Sequence, residues 1–269
     1  MNRKLLLFDV DGTLCGYDAK VPASAPEAIK KARENGHIVV IVTGRMRNRA
    51  LVGGIEADGM ICGNGAYLEI SGNILKDLSL SAQDIAEVTD YLDENSFDYF
   101  MEGNEGLYGS RNFETNAVPY YEKYGIRNPV IRRIYPMMTF PESMHQPGVT
   151  KINYLLHTYQ DYLTFKEHFS RFQCLTWGGK GEDVIFGDCA LYGIDKNTAI
   201  QQLIAYLDIP REDIFAFGDA EVDIPMFEAA GNSVCMGGGR EGAKAAADFV
   251  TDTVENDGIQ KALEHFKLI

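Results

Sequence analysis

Short apolar runs that stop at glycine-containing turns alternate with helical patterns at both ends of this chain, while the middle keeps a different rhythm. Lys4 to Val10 is an apolar run that ends at Asp11-Gly12. Ser24-x-x-Glu27 reads as a capping box that opens a helix, and Asn35-Gly36 closes it. His37 to Val42, rich in β-branched residues, follows and stops at Thr43-Gly44-Arg45. Apolar strand, helix, apolar strand predicts a βαβ unit whose parallel strands are buried on both faces. The pattern returns late in the chain: Asp195 to Leu207 has helical spacing, and Ile214 to Phe217 is a short strand ending in Gly218-Asp219. Further short elements are expected around Ser233 to Met236 and Phe249 to Thr251.

Between the two ends lies a stretch richer in aromatic and polar residues. It predicts a helix over Ala82 to Glu94, strands over Lys151 to His157, Cys174 to Gly178 and Asp183 to Phe186, and a helix from Tyr159 to Arg171. The fold class is therefore α/β: a doubly wound, Rossmann-like parallel sheet core formed by residues 1–80 and 189–269, interrupted by an inserted α+β domain over residues 81–188.

Composition narrows the functions open to such a fold. At 269 residues, 45% hydrophobic and 24% charged, the chain can bury a full core. No apolar run reaches the roughly 20 residues of a membrane span, and Leu5 to Phe8 is soon interrupted by Asp9 and Asp11, which argues against a signal peptide. A net charge of −14 is wrong for nucleic acid or anionic membrane. Five scattered cysteines without a Cys-x-x-Cys pair fit a reducing cytoplasm better than a disulfide framework or a zinc knuckle. A small anionic substrate remains open if a cation is held locally. The sequence carries no sign of oligomeric state.

Four features fall where predicted strands end, and ligands of open α/β sheets bind at the carboxyl ends of their strands. The first is Asp9-Val10-Asp11-Gly12-Thr13, where a turn at Gly12 lets two carboxyls flank one reacting centre. One can attack as the ionised form while the other protonates the leaving oxygen, a division of labour suited to phosphate monoesters. An anionic nucleophile meeting an anionic phosphate needs a hard cation on oxygen ligands. Gly218-Asp219-Ala220-Glu221-Val222-Asp223 adds two carboxylates and, with Asp9, makes an oxygen-rich pocket suited to Mg²⁺. Thr43-Gly44-Arg45 offers a hydroxyl and backbone amides to phosphate oxygens. Lys196, just inside a helix that Asp195 caps, adds a point charge.

In this order these residues resemble the four motifs of the haloacid dehalogenase superfamily. Asp9-x-Asp11-Gly12-Thr13 matches the first, Thr43 the second, Lys196 the third and Gly218-Asp219-x-x-x-Asp223 the fourth. Ile61-Cys62-Gly63-Asn64-Gly65-Ala66 and the long insertion resemble the Cof-like branch with its type IIB cap, for which sugar phosphates are the implied substrates. The resemblance implies a Mg²⁺-dependent phosphatase acting on a small phosphorylated metabolite, with Asp9 as nucleophile and metal ligand. Asp11 is then general acid and base, with its backbone carbonyl on the metal, and Asp219 completes the protein's metal shell. By the same resemblance Thr43, Gly44 and Lys196 hold phosphate and Asp223 orients a metal-bound water or a neighbouring side chain; independently, Arg45, Arg47 and Arg49 form a small basic cluster in which Arg45 is expected to help attract phosphate and the other two to be solvated. Val222, which cannot hydrogen-bond phosphate, stands where many members carry Asn, so either Asn64 or a water compensates or phosphate binding is weaker.

Other readings are weaker. An EF-hand loop starting at Asp9 fails because Leu14 and Lys20 replace the required Gly and Glu. His145, His157 and His168 lack metal spacing and read as surface or packing residues. Trp177, Tyr120, Tyr121 and Tyr124 read as packing residues before pocket residues. Two functional rivals stand beside hydrolysis: a phosphomutase or phosphotransferase using the same aspartyl-phosphate, and a non-catalytic binder, against which the presence of both Asp9 and Asp11 argues.

Overall fold

Leu5–Phe8, the first apolar run, is buried along its whole length because helices cover both faces of the sheet it belongs to. The computed structural model describes residues 3–16, 19–123, 125–177, 181 and 184–269. In chain order its strands are β1 (Leu5–Phe8), β2 (Ile38–Val42), β3 (Gly59–Cys62), β4 (Tyr67–Ile70), β5 (Asn73–Asp77), β6 (Tyr99–Gly103), β7 (Leu107–Gly109), β8 (Met138–Thr139), β9 (Val149–Leu155), β10 (Gln173–Thr176), β11 (Phe186–Ala190), β12 (Ile214–Gly218), β13 (Asn232–Cys235) and β14 (Phe249–Val250). The chain forms two units, Met1–Asp77 with Ile194–Ile269, and Leu78–Gly193. The second begins and ends a few residues outside the expected 81–188; at its far end β11 continues to Ala190.

In the first unit the sheet order is β14-β13-β12-β1-β2-β3-β4-β5, parallel from β14 to β3, with β4 and β5 added antiparallel at the edge. Strand periodicity divides the core. Leu6 and Phe8 pack with Ala28, Ile29 and Ala32 of the helix Ser24–Glu34, whereas Leu5 and Leu7 pack with Ala199, Ile200 and Leu203 of the helix Lys196–Leu207. This is the doubly wound α/β arrangement expected from the sequence.

The Ser24 capping box does not form. Ala23 is the N-cap residue, and Ser24, already helical, donates from Oγ to Asp257 Oδ1 at 2.5 Å. A missing cap costs about 1 kcal/mol, less than the roughly 1.5–3 kcal/mol that burying Ile29 alone contributes. Packing therefore carries this helix.

The second unit is a six-stranded sheet, β10-β11-β9-β6-β7-β8, antiparallel except for the β7–β8 pair. One face, with Tyr99, Met101, Ile152 and Tyr154, packs on the helices Ala82–Glu94 and Tyr159–His168. Ser81 caps the first of these with a reciprocal Asp84 contact. The second stops at His168, short of the expected Arg171, because Phe169 leaves the helical conformation and turns into the core.

The opposite face is mixed. Phe100, Leu155 and Phe186 pack with Phe113, Tyr121 and Ile131 from short helices. Beside them Asn153 Nδ2 donates to Glu102 Oε1 at 2.8 Å, Lys151 Nζ lies 3.3 Å from the same oxygen, and Asp188 stands opposite Asn153 in register. Burial raises the Asp188 carboxyl pKa, with Lys151 opposing it. These polar residues interrupt the apolar pattern, so β6 gives no strand signal in the sequence and β11 starts at Phe186, where the expected strand ended. The expected strand residues Gly178 and Asp183, and Tyr124, lie outside the described residues.

Candidate active site

Strand register brings the sequence candidates together. Phe8 lies opposite Phe217 on β12 and Ile41 on β2, so Asp9, Thr43 and Asp219 emerge from the carboxyl ends of three adjacent parallel strands. Asp9 shares the face of Leu5 and Leu7, the side covered by the helix that begins at Lys196. Asp195 caps that helix by accepting the Thr198 N–H at 2.7 Å.

The outcome is a buried ion cluster. Lys196 Nζ donates to Asp9 Oδ1 at 3.0 Å and to Asp223 Oδ1 at 2.9 Å. Asp223, fully buried, accepts the backbone N–H groups of Asp219 and Ala220 on Oδ2 at 3.1 and 3.2 Å. It fixes both the strand-end turn and the lysine. Thr13 Oγ1 donates to Asp219 Oδ1 at 3.3 Å. Oxygens of Asp9, Asp219 and Asp223 all lie within 4.8 Å of one another.

Three buried carboxylates against one ammonium leave excess negative charge, and the protonation equilibria register it. Burial pushes the Asp9 carboxyl up to about 7, with Lys196 opposing and Asp223 and Asp219 reinforcing the rise. Burial alone would lower Lys196, but Asp9 and Asp223 outweigh it and hold the ammonium pKa above its ordinary value. A hard divalent cation with an all-oxygen preference fits this donor set.

The other candidates are placed differently. The Asp11 side chain is outside the carboxylate cluster and 45% exposed; Arg45 grips it through Nε to Oδ2 at 2.9 Å and an N–H to Oδ1 at 2.5 Å. Arg45, expected to attract phosphate, thus spends its guanidinium on Asp11. Arg47 pairs with Glu69. Thr43 is buried, and its Oγ1 accepts the Arg45 N–H at 3.1 Å. Asn64, with a left-handed φ of 56°, donates its N–H to the Thr43 carbonyl at 3.2 Å, and its Oδ1 lies 3.0 Å from where a Gly44 Cβ would be. Val222 is exposed and Glu221 also lies outside the cluster. His157 stacks on Phe97 and His168 on Tyr91, while Trp177 stacks on Phe186.

Two glycines, Gly12 of the expected turn and Gly65, which the sequence showed only as a motif letter, set this geometry. A Cβ on Gly65 would lie 2.3 Å from the Asp195 carbonyl oxygen, so its absence lets the turn approach the helix that carries Lys196. Gly12 has φ +88°, and its Cβ would lie 2.2 Å from Asp219 Oδ2. Gly12→Ala should therefore displace Asp219 and cost about 1–3 kcal/mol, from backbone strain and the clash together. Thermal unfolding checks this, and an unchanged midpoint would mean that neither the strain at φ +88° nor the contact with Asp219 carries a cost.

A mostly parallel sheet covered by helices, with strand-end aspartates and a buried lysine, places the chain among α/β enzymes with a site at the carboxyl ends of the strands. The family model for haloacid dehalogenase-like hydrolases matches residues 6–263, and the chain belongs to that family. It is 27% identical, over 99% of its length, to a Streptococcus pyogenes protein named for two activities, phosphatase and peptidyl-prolyl cis-trans isomerase, and it spans 54% of that relative. A phosphatase of the same superfamily from Bacteroides thetaiotaomicron is 30% identical, with a TM-score of 0.73 over 99% of this chain and 96% of that one. The fold is also shared with a subclass IIB sugar phosphatase at 24% identity, with a TM-score of 0.67 over 99% and 100% of the two chains. No helix among the described residues is long and apolar enough to cross a membrane.

Proposed function

We propose that this protein is a Mg²⁺-dependent phosphatase that hydrolyses small phosphate monoesters, sugar phosphates among them, through a phosphorylated Asp9. The carrying observation is the Asp9 carboxylate, fixed at a strand end against Lys196 and within reach of Asp219 and Asp223. Asp9, Asp219 and the Asp11 backbone carbonyl would hold the ion, which supplies positive charge to balance nucleophile and phosphate.

The protein's own groups divide the chemistry. An Asp9 oxygen bonds to phosphorus as the ester O–P bond breaks, and Asp11 gives a proton to the leaving oxygen. Water then attacks the aspartyl-phosphate, Asp11 recovers a proton, and phosphate leaves. The Arg45 pair orients Asp11 and must loosen for it to act. Thr43, the Gly44 amide and Lys196 hold the phosphate oxygens, with Asn64 beside them in the place Val222 cannot fill.

We assign the choice of leaving group to the second unit. Its polar sheet face, with buried Glu102, Asn153 and Asp188 and partly buried Lys151, supports this reading because polar groups that converge on one face are what a sugar's hydroxyls require. A reducing cytoplasm suits its five unbridged cysteines.

A panel of phosphate monoesters assayed for phosphate release, with Mg²⁺ and with chelator, tests the proposal. Release should require the ion, and full activity in chelator would exclude the metal's role. A sugar acceptor in the same assay separates hydrolysis from phosphoryl transfer. On Lys151→Met the order of preferred esters should change, and an unchanged order would remove the choice from this face.

A further inference from the structure

In the second unit Cys174 on β10 and Cys189 on β11 stand directly opposite each other, and both are buried. The hydrogen-bonding register decides what this opposition permits. Trp177 N–H donates to Phe186 O, which makes 177/186 a hydrogen-bonded pair of the antiparallel ladder. Counting back along β10, 175/188 is hydrogen-bonded and 174/189 is not. The other side of β11 agrees. Leu156 N–H donates to Ile185 O, so 152/189 is a hydrogen-bonded pair and Cys189 directs its backbone groups toward β9. Cα atoms of a non-hydrogen-bonded antiparallel pair are about 4.5 Å apart with their side chains close. That separation falls in the range a disulfide spans.

We propose that Cys174 and Cys189 form a reversible cross-strand disulfide by exchange with a small-molecule disulfide of the glutathione type. Cys174 lies on β10, the edge strand, where local opening of the sheet exposes it first. That edge position makes Cys174 the attacking sulfur, and a hydrogen bond from Cys189, which lowers the Cys174 thiol pKa, favours its thiolate. Its thiolate attacks one sulfur of the small disulfide, forming a mixed disulfide and releasing one thiolate. That thiolate takes the Cys189 proton. Cys189 then attacks the Cys174 sulfur and the second small thiolate leaves, taking from solvent the proton that Cys174 had given up, so two protein thiols are oxidised and one disulfide is reduced to two thiols. Cys15, Cys62 and Cys235 belong to the first unit, and none of them is register-paired with another cysteine.

Fully reduced native protein should be incubated with oxidised glutathione, alkylated after denaturation and weighed intact. Two of the five thiols should escape alkylation, the unalkylated protein should lose two hydrogens in mass, and a cross-linked peptide should join Cys174 to Cys189. The loss should be absent in Cys174→Ser, and reductant should reverse it in the wild type. Five alkylated thiols, a stable glutathione adduct without an internal bridge, or a bridge between other cysteines would each overturn the proposal. Peptide mapping of the wild type decides the matter even if the serine variant fails to fold.

Discussion

Asp9→Asn should abolish phosphate release while making the chelator-treated protein harder to unfold. The amide matches the carboxylate in shape but is a poor nucleophile, so turnover should fall at least about a thousandfold. Stability moves the other way because the native state disfavours this charge: burial raises the Asp9 pKa from an ordinary 3.8 to about 7. The direction of the pH effect follows. A carboxyl whose folded pKa lies above its unfolded value stabilises fully below the unfolded pKa, and that contribution is lost as pH rises through the folded one. In chelator the wild type should therefore lose stability between about pH 4 and pH 7, to the extent of a few kcal/mol. Asp9→Asn should lack this slope and melt higher at pH 8. Wild-type turnover in the variant would remove Asp9 as nucleophile. A lower melting point at pH 8 would mean that its ion pair with Lys196 outweighs its burial.

The first unit was legible because its elements are dictated locally. Runs such as Leu5–Phe8 and Ile38–Val42 are buried on both faces, so they read as unbroken apolar segments, and glycines mark their ends. The second unit hid β6 and shifted β11, because Glu102, Asn153 and Asp188 put polar side chains on a sheet face that periodicity expects to be apolar or exposed.

The site divides in the same way. Asp9, Lys196 and Asp219 were visible as residues at predicted strand and helix ends. Partner choice was not. Nothing local in Arg45 says that it will grip Asp11, a contact created by the juxtaposition of two strand-end turns, nor that Asp223 will accept Lys196 on one oxygen and two backbone N–H groups on the other. Gly12 and Gly65 carried a signal, since positive-φ turns favour glycine, but the groups they make room for come from more than 100 residues away.

Lys196→Met should produce the largest stability loss of any single change at this site, and pH should modulate it. Methionine preserves most of the apolar stem of a side chain that is only 8% exposed, so packing changes little. What disappears is the ammonium bonded to both Asp9 and Asp223. Removing one partner of a buried ion pair typically costs about 3–5 kcal/mol, because the opposite charge stays behind. Here two carboxylates stay, with Asp219 beside them. Lys196 opposes the rise in the Asp9 pKa, so its removal pushes that carboxyl still higher. By the same linkage, the deficit relative to wild type should be smallest near pH 4, where protonation relieves the repulsion, and should widen as pH rises through neutrality. The raised pKa of Lys196 itself affects stability only above about pH 10 and leaves this window unchanged. Mg²⁺ should restore part of the melting temperature in the variant, and more than it adds to the wild type, because the ion meets a pocket with one positive charge fewer. Thermal unfolding at pH 4.5 and pH 8, with chelator and with Mg²⁺, separates the cases: an equal loss at both pH values would assign the effect to packing and remove the lysine's electrostatic role.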